Sequence, residues 1–360
     1  GIQNSHNKFS IPAVTPLIFN LSLICSAWLV APKIEIHVMA LAWGVLLAGF
    51  LQLLFQIAPL ATIKKIPVPK IDFQNPGVKK FFILILPAII AGGIAQINLL
   101  VDTIFASLLI TGSPTWLYVS DRLIQFPMGI FAIAIGTVLL PSLSKAYAKK
   151  EIEAFTDQLA HSFKLIFFLA IPSLIGLILF ASPLLATIFQ RGAFLWIDVQ
   201  QASLSLIGFA FGLPFFMAMK VLVPAFFSRQ NTKTPMLIAL LSLLINISLN
   251  YLLAFYFELG HLGLAIASSI SAIVSVIILS MILKREGLIS FSGILSAFSL
   301  KVLTASVALI VFLLIFNQHF DFELFTQAQR LIYLCVAVIG SIITYFGVSF
   351  LLGVRATDFR

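Results

Sequence analysis

Asp121 and Arg122 sit side by side near the start of a long apolar stretch, Ser113 to Lys150, that opens on the turn signal Gly112-Ser113-Pro114. No charge follows Arg122 until Lys145, a run of 22 uncharged residues. At 1.5 Å per residue that run is about long enough to cross a bilayer. A guanidinium inside a span costs on the order of 2.5–3.5 kcal/mol on insertion scales, so it faces a partner or a water-filled cavity. Two readings are open: a functional group facing a cavity, or half of an ion pair that locks two helices. Asp102 and Arg122 flank the same turn at similar distances in sequence. In an antiparallel hairpin they share a depth, which allows an Asp102–Arg122 pair. Asp121 points roughly 100° away from Arg122 around the helix, so it is placed as a cavity-lining group and not as the partner. Asn98 and Asp102 are i and i+4 on one face of the preceding helix, with Gln96 nearby. Together with Gln125 and Trp116 these residues make a candidate substrate-binding set: Arg122, Asp121, Gln125, Asn98, Asp102 and Trp116.

Asn246 and Asn250 form a second i, i+4 pair, in LSLLINISLNYLL. Asparagine in a span bonds across helices, so one reading is helix–helix attachment. The other is a cation site, with charge from Asp102 and oxygens from Asn246, Asn250 and Ser268 or Ser269, the ligand type that hard cations prefer. His37, His161, His261 and His319 fall at span ends or in connections and are expected to be solvated.

The elements that carry these residues follow from composition. The 360 residues are 61% hydrophobic and 10% charged, with a mean hydropathy of +1.11. So little charge cannot cover a water-soluble protein of this length. The apolar runs are long and unbroken, which excludes a barrel of alternating ten-residue strands. The fold class is all-α, polytopic and membrane-integral. Charge-free runs at 9–32, 36–63, 81–101, 123–144, 165–190, 199–219, 234–257, 259–283, 302–320 and 331–354 predict ten spans. Pro87, Pro127, Pro172, Pro214 and Pro224 fall within spans and predict kinks or breaks, tolerated where the backbone faces protein or water. Ala91-Gly92-Gly93 predicts close helix packing or a hinge. KKEIEAFTDQLAHSFK reads as an amphipathic surface helix, and SPLLATIFQRGAF as a short interfacial one. Cys25 and Cys335 lie far apart and form neither a disulfide framework nor a metal spacing. The chain begins with Gly1 in a polar stretch that leads into a span, and further chain is expected to precede it.

Taking alternate connections, one side of the membrane holds 15 Lys and Arg residues, including Lys8, Lys64, Lys65, Lys70, Lys79, Lys80 and Arg360. The other side holds three, Lys33, Arg191 and Arg330. The positive-inside rule makes the first side cytoplasmic, with both termini of the chain on it. The polar set around Arg122 then opens toward the periplasm. The net charge of +9 is a topology signal of this kind, not a nucleic-acid footprint, since no basic stripe with interleaved aromatics occurs. There is no Walker loop, H-E-x-x-H or G-x-S-x-G. The connections on the periplasmic side offer only Glu35, Asp198, Glu258, Asp321 and Glu323, scattered over four loops. The chain reads as a transporter and not as an enzyme, with any uphill drive drawn from an ion gradient, the membrane potential or downstream consumption.

The run SDRLIQFPMGIFAIAIGTVLLPSLSKAYAKKE resembles the signature region of the MurJ (MviN) lipid II flippases, a bacterial family of the MOP transporter superfamily. NKFSIPAVTPLIFNLSLI, FQRGAF and KVLVPAFFSRQNTKTP resemble the same family in the same order. The resemblance implies the last ten of fourteen helices. Residues 1–64 would be the last two helices of an N-terminal lobe, and 65–80 a cytoplasmic linker between lobes. Residues 81–286 would be a six-helix C-terminal lobe, and 287–360 two additional helices that form a groove for a lipid tail. It further implies alternating access and transfer of undecaprenyl-diphosphate-linked peptidoglycan precursor (lipid II) from the cytoplasmic to the periplasmic leaflet of the bacterial inner membrane. Arg122 matches the family's cavity arginine, a planar donor suited to a diphosphate. A sodium ion is implied in the C-terminal lobe, with Asp102, Asn246, Asn250 and Ser268 as candidate ligands and no other cofactor. Asn250 and Gln125 depart from the family pattern, where acids are often found. The implied partners are lipid II or a related undecaprenyl-diphosphate-linked saccharide and membrane lipids, no nucleic acid, and a monomeric state. The alternative is another MOP-type exporter, either a flippase for O-antigen or exopolysaccharide precursors or a cation-coupled drug exporter. Two extra C-terminal helices favour the first reading.

Overall fold

The computed structural model describes residues 10–35, 37–62, 76–289, 297–317, 325–355 and 358. Lys8, Lys64, Lys65, Lys70, His319, Asp321, Glu323, Arg360 and most of the 65–80 connection lie outside them. Every extended element among the described residues is a helix. This follows from lipid, where each backbone polar group must be satisfied within its own segment. Nine helices there are long and apolar enough to cross a membrane, or ten if one bent pair counts as a single span. Side chains such as Leu351 (84% exposed) and Phe50 (69%) point outward, as lipid-facing residues do.

The chain divides into two compact units, Gly1–Val78 and Lys79–Arg360. In the first, α1 (Ser10–Cys25) packs on α2 (His37–Thr62). A π-helical turn at Ser26–Val30 joins them, and the Ser26 hydroxyl donates to Ala40 O. Gln52 Nε2 donates to Thr15 O at 3.1 Å.

The second unit runs α3 (Pro76–Ser107), α4 (Ser113–Pro127), α5 (Ile133–Ala148), α6 (Ile152–Leu179), α7 (Ala181–Phe189), α8 (Trp196–Ala210), α9 (Leu213–Phe227), α10 (Lys233–Tyr251), α11 (Gly260–Arg285), α12 (Ala297–Asn317) and α13 (Gln327–Leu351). Helix α4 packs on α8 and α8 on α11, while α9 sits among α5, α6 and α11. Fully buried Leu206, Leu213, Met217, Leu222, Phe226 and Leu279 fill that centre. Helices α12 and α13 pair with one another, α12 also packing on α6 and α13 on α7. The Tyr345 hydroxyl of α13, fully buried, donates to Phe168 O of α6 at 2.7 Å. Arg330 reaches Gln190 Oε1 at 2.7 Å, and Gln327 Nε2 donates to Thr187 O at 2.7 Å.

Several expectations change. Residues 152–164 are the first turns of α6 and not a separate amphipathic helix, because nothing between Ile152 and Lys164 breaks the backbone ladder. Phe155 and Leu159 are fully buried. Helices α3, α6 and α9 run on through Pro87, Pro172 and Pro224. At Pro127 and Pro214 the expected irregularity is present: Met128–Ala132 is π-helical, and α8 and α9 meet at 43° at Phe211–Gly212. Gly92 and Gly93 have open space where a side chain would begin, so neither makes a close approach among the described residues. The close approaches are elsewhere. A Cβ at Gly136 would stand 2.8 Å from Lys220 O, and one at Gly263 2.7 Å from the Leu253 carbonyl carbon.

Backbone cannot step aside as a flexible side chain can. Gly263→Val is therefore expected to destabilise the purified protein by about 1–3 kcal/mol through overpacking. Gly92→Ala, in open space mid-helix, should leave the melting temperature in detergent unchanged or raised. Equal melting temperatures for Gly263→Val and wild type would contradict this packing.

Candidate functional site

Asp102 lies on the last turns of α3 and meets two other helices. Asn250 Nδ2 on α10 donates to Asp102 Oδ1 at 2.7 Å and to Asn246 Oδ1 at 3.0 Å. Ser268 Oγ on α11 donates to Asp102 Oδ2 at 3.2 Å and accepts from Asn246 Nδ2 at 3.1 Å. Asn246 and Asn250 are fully buried. Spacing of i and i+4 on α10 puts both amides on one face, and α11 packs along it. All four candidate ligands therefore meet, and the asparagines also attach helices to one another. Ser269 departs from the set and donates to Gly208 O at 2.7 Å. Asn250 Oδ1 is buried without a hydrogen-bond partner, as is Asn98 Oδ1 one turn before Asp102. A buried acceptor with no donor is costly. One carboxylate among neutral oxygens, with an acceptor left over, is a donor set that suits a hard cation.

The second group lies on α4, and its two faces differ. Trp116 and Ser120, one turn apart, are buried against α8. Trp116 Nε1 donates to Asp198 Oδ1 at 2.8 Å, and the Ser120 hydroxyl lies 2.7 Å from Ala202 O. Asp198 Oδ2 accepts from Leu195 N at 2.7 Å, so the same carboxylate caps α8 and holds the indole. Trp116 also meets His261 in a T-shaped ring contact, with centroids 4.9 Å apart. Gln201 Oε1, an acceptor, lies 2.9 Å from His261 Nε2 and places the ring proton there, leaving Nδ1 to accept from the Ser205 hydroxyl at 2.7 Å. His261 is 5% exposed and not solvated as its position at a helix start implied.

The opposite face of α4 is open. Arg122 and Gln125 are exposed and Asp121 is half-buried. Gln125 Nε2 donates to Asp121 Oδ2 at 2.5 Å. The Arg122 guanidinium lies over the Tyr118 ring, 4.7 Å from its centroid. Among the described residues the ion pairs are Lys149–Glu151 and Arg229–Glu286, and Arg122 joins neither Asp102 nor Asp121. The allowed Asp102–Arg122 pair does not form, since both oxygens of Asp102 take donors from α10 and α11. Trp116, expected with the substrate-lining residues, is turned inward instead.

The family model described as lipid II flippase MurJ matches residues 1–334. The chain belongs to the lipid II flippase MurJ family. A relative from Vibrio cholerae named as a probable lipid II flippase MurJ is 37% identical, over all of this chain and 68% of its own length. A solved MurJ structure described as inward closed is 27% identical with a TM-score of 0.70, covering 97% of this chain and 69% of that one. An outward-facing MATE transporter of the MOP superfamily, 19% identical with a TM-score of 0.52 over 76% of this chain and 64% of its own, shares the fold. As a MurJ family member the chain is a multi-pass membrane transporter and not an enzyme.

In this MurJ family chain an apolar cavity of about 370 Å³ lies between α4, α6, α12 and α13, lined by Phe126, Pro127, Ile130, Leu169, Leu313 and Phe346, among others. It begins one residue beyond Gln125. Residue spacing did not single out Tyr118, although its i−4 relation to Arg122 is the signal that finds it. It did not single out Ser205 or Gln201, whose link to His261 crosses 56 and 60 residues of chain.

The inward face of α4 predicts its own test. Trp116→Phe removes a hydrogen bond to a carboxylate, an interaction of about 1.5–3 kcal/mol. It should lower the melting temperature of the purified protein, and Asp198→Asn should lower it too. No change in either would contradict the anchoring of α4 to α8.

Proposed function

We propose that this chain carries lipid II, an undecaprenyl-diphosphate-linked muropeptide, from the cytoplasmic to the periplasmic leaflet by alternating access, with Arg122 as a cationic group for the diphosphate. The observation that carries this reading is the state of Arg122. It stands on the exposed face of a membrane helix with no hydrogen-bond acceptor and no carboxylate within ion-pair distance among the described residues. A cation kept unpaired at membrane depth is a functional feature, and a planar guanidinium matches a phosphate bidentately. In this reading Asp121, Gln125, Asn98 and Asp102 would supply the further polar groups of the substrate path. The apolar cavity that begins beside Gln125 supports a tail-binding role for the two last helices, since an isoprenoid leaving a diphosphate at Arg122 meets it next.

In this reading residues 1–64 belong to an N-terminal lobe, 65–80 to the linker, 81–286 to the C-terminal lobe and 287–360 to the added helix pair. The protein works as a monomer in the inner membrane, with both ends of this chain cytoplasmic. The ring of Asp102, Asn246, Asn250 and Ser268 would hold a monovalent cation such as sodium, which would neutralise Asp102 and use the spare Asn250 oxygen.

In cells depleted of their own flippase, the complete gene product should restore growth. Arg122→Ala and Arg122→Lys, inserted at wild-type levels, should fail, because an ammonium lacks the planar fork. Rescue by Arg122→Ala would overturn the assignment. For the cation site, sodium chloride should raise the melting temperature above that in potassium chloride at equal ionic strength. A ligand at 100 times its dissociation constant stabilises by about 2.7 kcal/mol. Asp102→Asn should abolish the difference, and its survival in that variant would contradict the site.

A further inference from the structure

Tyr118 is out of place as a packing residue. It is 57% exposed, while Trp116, two residues earlier on the other side of the helix, is buried and bonded. Its hydroxyl has no protein partner among the described residues. What the ring does touch is the Arg122 guanidinium, 4.7 Å away over its face. An aromatic face within about 6 Å attracts a cation through its quadrupole. It does so without supplying a hydrogen-bond acceptor of the kind a phosphate would have to displace. A carboxylate partner would act the opposite way, neutralising the charge and taking the fork that a phosphate needs. The nearest carboxylate in sequence, Asp121, is engaged by Gln125. Arginine side chains lose about 2 kcal/mol of rotamer freedom when fixed, and a ligand that meets a pre-set side chain avoids part of that loss.

We propose that Tyr118 is a positioning residue for the cargo's diphosphate: its ring holds the Arg122 guanidinium in place without neutralising it, and so sets affinity for phosphate without contacting it. The inference rests on the reading of Arg122 as the diphosphate-binding group. It also gives Gln125 a role, as the residue that keeps Asp121 turned away from Arg122.

The test uses the complete protein, purified into nanodiscs, and two probes: undecaprenyl diphosphate, and undecaprenol, which has the same tail and no phosphate. Tyr118→Leu is expected to weaken diphosphate binding by about 2- to 30-fold, the range of a cation–π contact, and to leave undecaprenol binding unchanged. Tyr118→Phe, which keeps the ring and loses the hydroxyl, should restore wild-type affinity. Unchanged diphosphate affinity in Tyr118→Leu overturns the proposal. So does an equal loss for both probes, which marks a structural role, or an equal loss in Tyr118→Phe, which marks the hydroxyl. Arg122→Ala run alongside separates the two claims. If it binds the diphosphate as wild type does, the reading of Arg122 itself fails. If it loses binding while Tyr118→Leu does not, the positioning role alone fails.

Discussion

A polar group inside a membrane span has no water to turn to, and the second unit is arranged around that constraint. Asp102 is held by donors from two other helices, so α3, α10 and α11 meet where their polar residues lie. Lipid tails are as apolar as leucine, and helices in a bilayer associate through packing and such bonds. Helix α4 obeys the same rule with a different outcome. Its inward side chains, Trp116 and Ser120, bond to α8, and this fixes the helix's rotation about its own axis. The face left over carries Tyr118, Arg122 and Gln125. The exposed arginine is thus a consequence of where the satisfied groups are.

Irregular backbone gathers beside these groups. The π-helical turn Met128–Ala132 follows Arg122 by less than two turns, and its Ile130 and Phe131 line the apolar cavity. The π-helical turn Leu252–Tyr256 follows Asn250 directly. Gly263 lets α11 approach that turn's backbone closely. The bend between α8 and α9 lies at Gly212, against which the Ser269 hydroxyl packs. Departures from α-helical geometry of this sort often mark functional positions.

Much of this was legible in the residues. Charge-free runs delimit the spans because an unpaired charge is excluded from lipid, and they match the helices when the bent pair counts as one. The Asn246–Asn250 spacing put two amides on one face, and the cluster with Asp102 and Ser268 follows once α3, α10 and α11 meet. What the sequence could not carry was the choice among partners at equal depth. Asp102 and Arg122 flank one turn, yet the carboxylate turns to α10 and α11, a decision made by packing 148 and 166 residues away. His261 looked solvated because helix starts usually are, and α8 covers it through Ser205 and Gln201. Prolines marked candidate breaks without saying which helices would absorb them.

For this MurJ family member the proposal is that Arg122 binds the diphosphate and the neighbouring apolar cavity receives the tail. Transbilayer movement of lipid II tests that account most directly, measured with the purified complete protein in liposomes as the fraction newly reached by a membrane-impermeant reagent. The account predicts movement with the wild type and no more than the protein-free rate with Arg122→Ala. Equal movement by both proteins, or none by a correctly inserted wild type, would contradict it.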